Sequence, residues 1–181
     1  MNGNTTQSNI YLIGYRATGK TTVGKQLARI LNRRFIDTDQ YIEEKAKLPI
    51  SEIVSRFGWE EFRTKEKTAI AEISQMNNLV VSTGGGAILD PQNTQTLRHT
   101  GTIICLHASI DTIIARLNTD PQTPTLRPSL TNNTASPTDE IHQTLTHRQP
   151  LYHQAAHIHI PTDNQTIPTI IHQILSALNP P

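Results

Sequence analysis

Between the apolar run Ile10-Tyr11-Leu12-Ile13 and a segment where Val23, Leu27, Ile30 and Leu31 recur at helical spacing, the chain reads Gly14-Tyr15-Arg16-Ala17-Thr18-Gly19-Lys20-Thr21-Thr22. This is G-x-x-x-x-G-K-[ST] in a strand, loop and helix context, and it commits the chain to an α/β architecture. Gly14 and Gly19 allow backbone angles that a Cβ disfavours, so successive N–H groups can converge on one anion. The helix beginning near Lys20 adds its positive end. Ala17, Thr18, Gly19, Lys20, Thr21 and Thr22 are therefore candidate contacts to nucleotide phosphates. Lys20 has the reach for the β- and γ-phosphates, and the Thr21 hydroxyl suits a place in the shell of Mg²⁺. The implied ligand is a magnesium-loaded nucleoside triphosphate, and the competing reading is an ordinary Gly-rich turn capping a helix.

Five apolar runs read as strands: Ile10 to Ile13, Arg34 to Asp37, Leu79 to Thr83, Thr102 to Leu106 and His157 to Ile160. Helical patterns fall at Lys20 to Asn32, Gln40 to Lys47, Ser51 to Phe57, Glu60 to Met76, Pro91 to Arg98, Ser109 to Asn118, Pro137 to Tyr152 and Ile167 to Leu178. Such alternation predicts a parallel sheet covered on both faces, a three-layer α/β/α fold. At 181 residues the chain fits one domain, expected over 10–179 behind a flexible tail at 1–9. A net charge of +1 without a basic block gives no footprint for nucleic acid. No apolar run approaches the ~20 residues that cross a bilayer, and the first residues lack a signal or transit pattern, so a cytoplasmic location is expected. The single cysteine, Cys105, lies in a strand pattern and reads as a packed thiol.

Three further clusters carry chemistry. Asp37 and Asp39 close the second strand pattern, and on a strand residues two apart share a face. At a strand's carboxyl end, where α/β sheets bind ligands, Asp37 suits the magnesium shell and Asp39 suits substrate hydroxyls. Asp39 equally fits the N-cap of a helix starting at Gln40. The strand Val80-Val81-Ser82-Thr83 runs into Gly84-Gly85-Gly86, where the absence of side chains lets a ligand lie against the backbone. Arg63 and Arg148, each readable alone as a surface charge, would together select a carboxylate. Between 118 and 137 the chain is rich in Pro, Thr and Asn, with Arg127 in an uncharged run, and it reads as a mobile lid whose guanidinium reaches a bound triphosphate.

In this order the motifs resemble the shikimate kinase family over most of the chain, from about Ile10 to Pro168: the loop Gly14 to Thr21, Asp37-Thr38-Asp39, Phe62-Arg63 with Glu66, the glycine triplet, Arg127-Pro128, and Arg148 with Pro150-Leu151-Tyr152. The resemblance implies a nucleoside monophosphate kinase-like P-loop fold with strand order 2-3-1-4-5, a substrate-binding region near 38–65 and a lid near 118–137. It implies Lys20, Asp39 and Arg127 as catalytic residues, Thr21 and Asp37 serving Mg²⁺, and shikimate held by Asp39, Arg63, Gly84, Gly85, Gly86 and Arg148. Arg116 and the loop containing Gln165 correspond to family positions near adenine, and Glu66, sharing a helix face with Arg63 at i, i+3, is expected to orient it. The implied partners are ATP and shikimate, acting on a monomer. The interval from Arg116 to Arg127 is longer than is usual in the family, and Trp59, Ser129 and Gln165 depart from common residues. Rival readings are a gluconate kinase-like enzyme and a non-catalytic nucleotide-binding regulator. His153, His157 and His159 read as surface residues in preference to zinc ligands.

Overall fold

The computed structural model describes residues 8–119 and 137–179. The expectations for Arg127, Ser129 and nearly all of the lid interval fall outside the described residues.

Five parallel strands form one sheet: β1 (Asn9–Ile13), β2 (Arg34–Asp37), β3 (Leu79–Ser82), β4 (Gly101–His107) and β5 (Ile158–Pro161), in the order β2-β3-β1-β4-β5. Every residue of β1 is buried, as a central strand covered on both faces requires. Tyr11 and Ile13 pack with Ile70, Ile73, Val81 and Ile103 on one side. Ile10 and Leu12 pack with Val23, Leu27, Val80, Ile104 and Ile174 on the other. The period-2 alternation of a strand thus feeds two cores at once.

Among the described residues the helices are α1 (Lys20–Ile30), α2 (Thr38–Ala46), α3 (Ile50–Ser74), α4 (Pro91–Thr100), α5 (Ile110–Thr119), α6 (Pro137–Ala155) and α7 (Ile167–Leu178). Their starts follow local chemistry: Asp90 accepts from Gln92 N ahead of Pro91, and Thr166 accepts from Thr169 N ahead of α7. The two helical patterns at 51–57 and 60–76 form one element, α3, broken where Gly58 takes φ 83. A short 3₁₀ turn, Ala87–Leu89, follows the glycine triplet and has no counterpart in the sequence reading. No described helix is long and apolar enough to cross a membrane.

β1 begins at Asn9, one residue before the expected start. The Asn9 amide explains the extension, since its Nδ2 donates to Met76 O at 2.7 Å and to Tyr11 Oη at 3.0 Å while its Oδ1 accepts from Leu79 N at 3.0 Å. One buried side chain therefore joins β1 to the start of β3.

Candidate active site

The loop from Gly14 leaves β1 with φ 141 at Gly14, and a Cβ there would lie 3.3 Å from the carbonyl carbon of Leu106. Glycine is demanded by both the backbone angle and the space. Lys20, buried at the start of α1, donates from Nζ to Gly14 O and Tyr15 O, each at 2.8 Å, so its ammonium is stationed at the mouth of the loop. Thr21 Oγ1 donates to Asp37 Oδ2 at 2.8 Å and lies 3.5 Å from Ser82 Oγ. The donor set is oxygen only, a carboxylate with two hydroxyls, which suits a hard cation that keeps several waters.

Asp37 works with both oxygens. Its Oδ1 accepts from Asp39 N at 3.1 Å and caps α2, while Oδ2 takes Thr21. This corrects two expectations about Asp39. The N-cap is Asp37, and Asp39 sits in the first turn of α2, so strand alternation does not align the two carboxylates. The helix starts at Thr38 because the cap is already in place there.

Arg116 on α5 donates from Nη1 to Ala17 O at 3.1 Å and to Thr162 Oγ1 at 3.0 Å, and from Nη2 to Thr162 O at 2.6 Å. It ties the phosphate loop to the segment after β5. In that segment Gln165 has a buried Oε1 with no hydrogen-bond partner among the described residues.

On the other side of the loop, the glycine triplet gathers the remaining charged groups. A Cβ on Gly84 would lie 2.7 Å from Asp39 Oδ1 and 2.8 Å from Glu66 Oε1, and one on Gly86 would lie 2.6 Å from Arg63 Cζ. Arg148, buried on α6, donates to Gly85 O at 3.2 Å, and the Tyr152 hydroxyl donates to the same carbonyl. The triplet also abuts the phosphate loop, since a Cβ on Gly85 would lie 3.5 Å from Gly14 O and 3.7 Å from Arg16 N. Asp39, Arg63 and Arg148 therefore share one pocket beside the cradle that holds Lys20 and Thr21.

Arg63 Nη1 donates to Glu66 Oε2 at 2.5 Å, and the guanidinium carbon lies 5.5 Å and 5.2 Å from the ring centroids of Trp59 and Phe62. Burial pushes the Glu66 carboxyl above its ordinary value, Arg63 opposes that shift, and Asp39 adds to it. The pocket thus holds two acids and two guanidiniums in a partly dry environment, an arrangement able to grip a ligand with both hydroxyl and carboxylate groups.

A family model described as shikimate kinase matches residues 16–179. The shikimate kinase of Syntrophus aciditrophicus is 39% identical over 173 residues, covering 92% of this chain and 89% of that protein. Shikimate kinase 2 of Photorhabdus laumondii is 42% identical over 147 residues, covering 81% and 82%. The solved structure of the Acinetobacter baumannii shikimate kinase in complex with shikimate superposes with a TM-score of 0.88 at 34% identity, covering 96% of this chain and 93% of that one.

The chain belongs to the shikimate kinase family.

Its membership accords with the strand order 2-3-1-4-5 and with the clustering of Asp39, Arg63 and Arg148 at the triplet. Two polar groups beside these residues escaped the sequence reading as site residues. Ser82 faces Asp37 because the parallel register of β2 and β3 pairs them. Tyr152 lies four residues after Arg148, on the same face of α6, and that spacing was the available signal. A third link, Arg16 Nη2 to Glu140 Oε1 at 3.6 Å, joins the phosphate loop to the first turn of α6.

Proposed function

We propose that this chain transfers the γ-phosphoryl group of MgATP to the 3-hydroxyl of shikimate, giving shikimate 3-phosphate and ADP. The observation that carries the reading is the contact of the two half-sites: a pocket of one aspartate and two arginines abuts the loop that holds Lys20. In this reading Arg63 and Arg148 grip the carboxylate through charge-assisted hydrogen bonds. Asp39 accepts from a ring hydroxyl and aims its oxygen in line with the γ-phosphorus. As the oxygen–phosphorus bond forms, the bond from the γ-phosphorus to its bridging oxygen breaks, ADP leaves with that electron pair, and Asp39 takes the hydroxyl proton. The phosphoryl transition state is loose, so alignment matters more than deprotonation, and Asp39 acts first as an orienting group.

Ala17, Thr18, Gly19 and Thr22 supply the loop and helix start around the phosphates, with Lys20 on the β- and γ-oxygens. Thr21 and Asp37 would hold Mg²⁺, which when bound neutralises phosphate charge. Arg116 and Gln165 flank the base. Arg127, outside the described residues, is assigned to the transferring phosphoryl on the family resemblance, within a lid at about 118–137. The region at about 38–65 receives the acceptor, and the presence of all these groups on one chain supports action as a monomer.

The test is ADP release by the full chain with and without shikimate, with the product identified by phosphorus NMR. Shikimate-dependent ADP release with a new phosphate monoester is expected. Turnover with gluconate and none with shikimate would overturn the reading, as would ATP binding without acceptor-dependent release. Arg63→Ala and Arg148→Ala should each raise the KM for shikimate about 30-fold or more while leaving that for ATP nearly unchanged.

A further inference from the structure

A cleft of about 470 Å³ lies between β4, α5 and α6; Thr18 of the phosphate loop and Tyr152 border it, and none of the charged residues assigned above lines it. Its floor is buried and largely apolar, with Cys105, Leu106, Ile113 and Leu145. Its rim is different in kind: the exposed imidazoles of His107 on β4, His153 on α6 and His159 on β5 all border it. The His153 and His159 rings stack with centroids 4.6 Å apart and planes 23° apart. Face-to-face stacking does not converge ring nitrogens on one point, and among the described residues no group of three His, Cys, Asp or Glu side chains is arranged to hold a metal ion.

Among the described residues no carboxylate lines the cleft. Asp163, outside the lining, approaches the rim at Ser109, where its Oδ1 accepts from the Ser109 amide at 2.9 Å and hydroxyl at 2.7 Å. The other titratable groups facing the cleft are Cys105 on β4, Tyr15 on the phosphate loop and Tyr152 on α6; burial pushes all three above their ordinary values, so they stay protonated at neutral pH. From α5 the lining is Ile110 and Ile113, with no titratable side chain. Burial lowers His159, and the neighbouring His153 and His107 lower it further. An apolar floor under an imidazole rim, with no carboxylate among its described lining residues, is complementary to an amphiphilic anion once the imidazoles are protonated, and the volume lies in the range of small-molecule sites.

We propose that this cleft, which adjoins the shikimate pocket at Tyr152 but shares none of its charged residues, is a second ligand site that binds a small carboxylic acid with an apolar body. The carboxylate lies at the rim formed by His107, His153 and His159, and the body covers Leu106, Ile113 and Leu145. A bound carboxylate favours the imidazolium forms, so binding takes up protons and weakens as pH rises through the histidine range.

The test uses phenylacetate as probe and phenylacetamide as its uncharged match, with the full chain and saturating shikimate so that Arg63 and Arg148 are occupied. Ligand-observed NMR and calorimetry should show saturable phenylacetate binding, about fivefold or more tighter than the amide and about fivefold tighter near pH 6 than near pH 8. The double variant His153→Gln, His159→Gln changes only exposed side chains and should reduce phenylacetate affinity to that of the amide while leaving kcat unchanged. Absence of saturable binding, equal affinity for acid and amide, unchanged affinity in the double variant, or displacement of the probe by shikimate would each overturn the proposal.

Discussion

Glu66 Oε2 accepts from Arg63 Nη1 at 2.5 Å across one turn of α3, with 1% of the Glu66 side chain exposed against 30% for Arg63. A buried acid thus fixes a half-exposed base, and the free edge of the guanidinium is left to face the pocket. Such an arrangement fixes the fork before substrate arrives, which lowers the ordering cost of binding.

Glu66→Gln keeps the shape and removes the charge. The KM for shikimate should rise about tenfold with the KM for ATP within about twofold, because the lost anchor touches only the acceptor side. The carboxyl is raised from its ordinary 4.5 by burial, so in the wild type kcat/KM for shikimate should fall on the acid side at a pH above the usual glutamate range. The variant should lack that limb. Linkage gives the sign for stability: the native state holds the proton more tightly than the unfolded chain, so this group's contribution declines as pH rises from 4.5 through the native value, and the Tm of the variant should not show that decline.

Gly86→Ala tests the close approach. A Cβ at this position would lie 2.6 Å from Arg63 Cζ, so the guanidinium must leave its place on the triplet. Shikimate affinity measured by calorimetry should fall at least about 30-fold, with ATP affinity within about threefold. Equal losses for both ligands would place the damage in the shared backbone.

Asp37→Asn separates capping from metal binding. Asparagine caps a helix as well as aspartate does, so the bond to Asp39 N and the Tm should persist. The lost charge beside Thr21 should raise the Mg²⁺ concentration for half-maximal activity about tenfold or more. An unchanged Mg²⁺ titration would remove Asp37 from that shell.

Asn9→Ala leaves Met76 O and Leu79 N without their side-chain partner inside the protein. The expected loss is about 2–3 kcal/mol, read in thermal melts as a fall of roughly 5–10 °C, with kcat and both KM values unchanged below the transition. A change in KM instead would show that the β1–β3 seam reaches the site.

Short-range patterns carried much of the fold and the phosphate-loop part of the candidate site. The strand runs, the helix starts at Pro91 and Ile167, and the loop from Gly14 to Thr21 depend on neighbours within one or two turns, and the structure has each of them in place. Asp39 marks where local reasoning failed: two-residue spacing suggested a shared strand face, but the Asp37 cap turns the chain helical at Thr38.

What the sequence could not contain locally is convergence. Ser82 reaches Asp37 and Thr21 because β3 inserts between β2 and β1, an order that is not the order of the chain. Arg148, readable alone as a surface charge, is buried on Gly85 because α6 packs across the carboxyl ends of strands that precede it by some 60 residues. Periodicity reports which face of an element is apolar; the pairing of elements far apart in the chain follows from burying all those faces at once, and only the folded structure solves that condition.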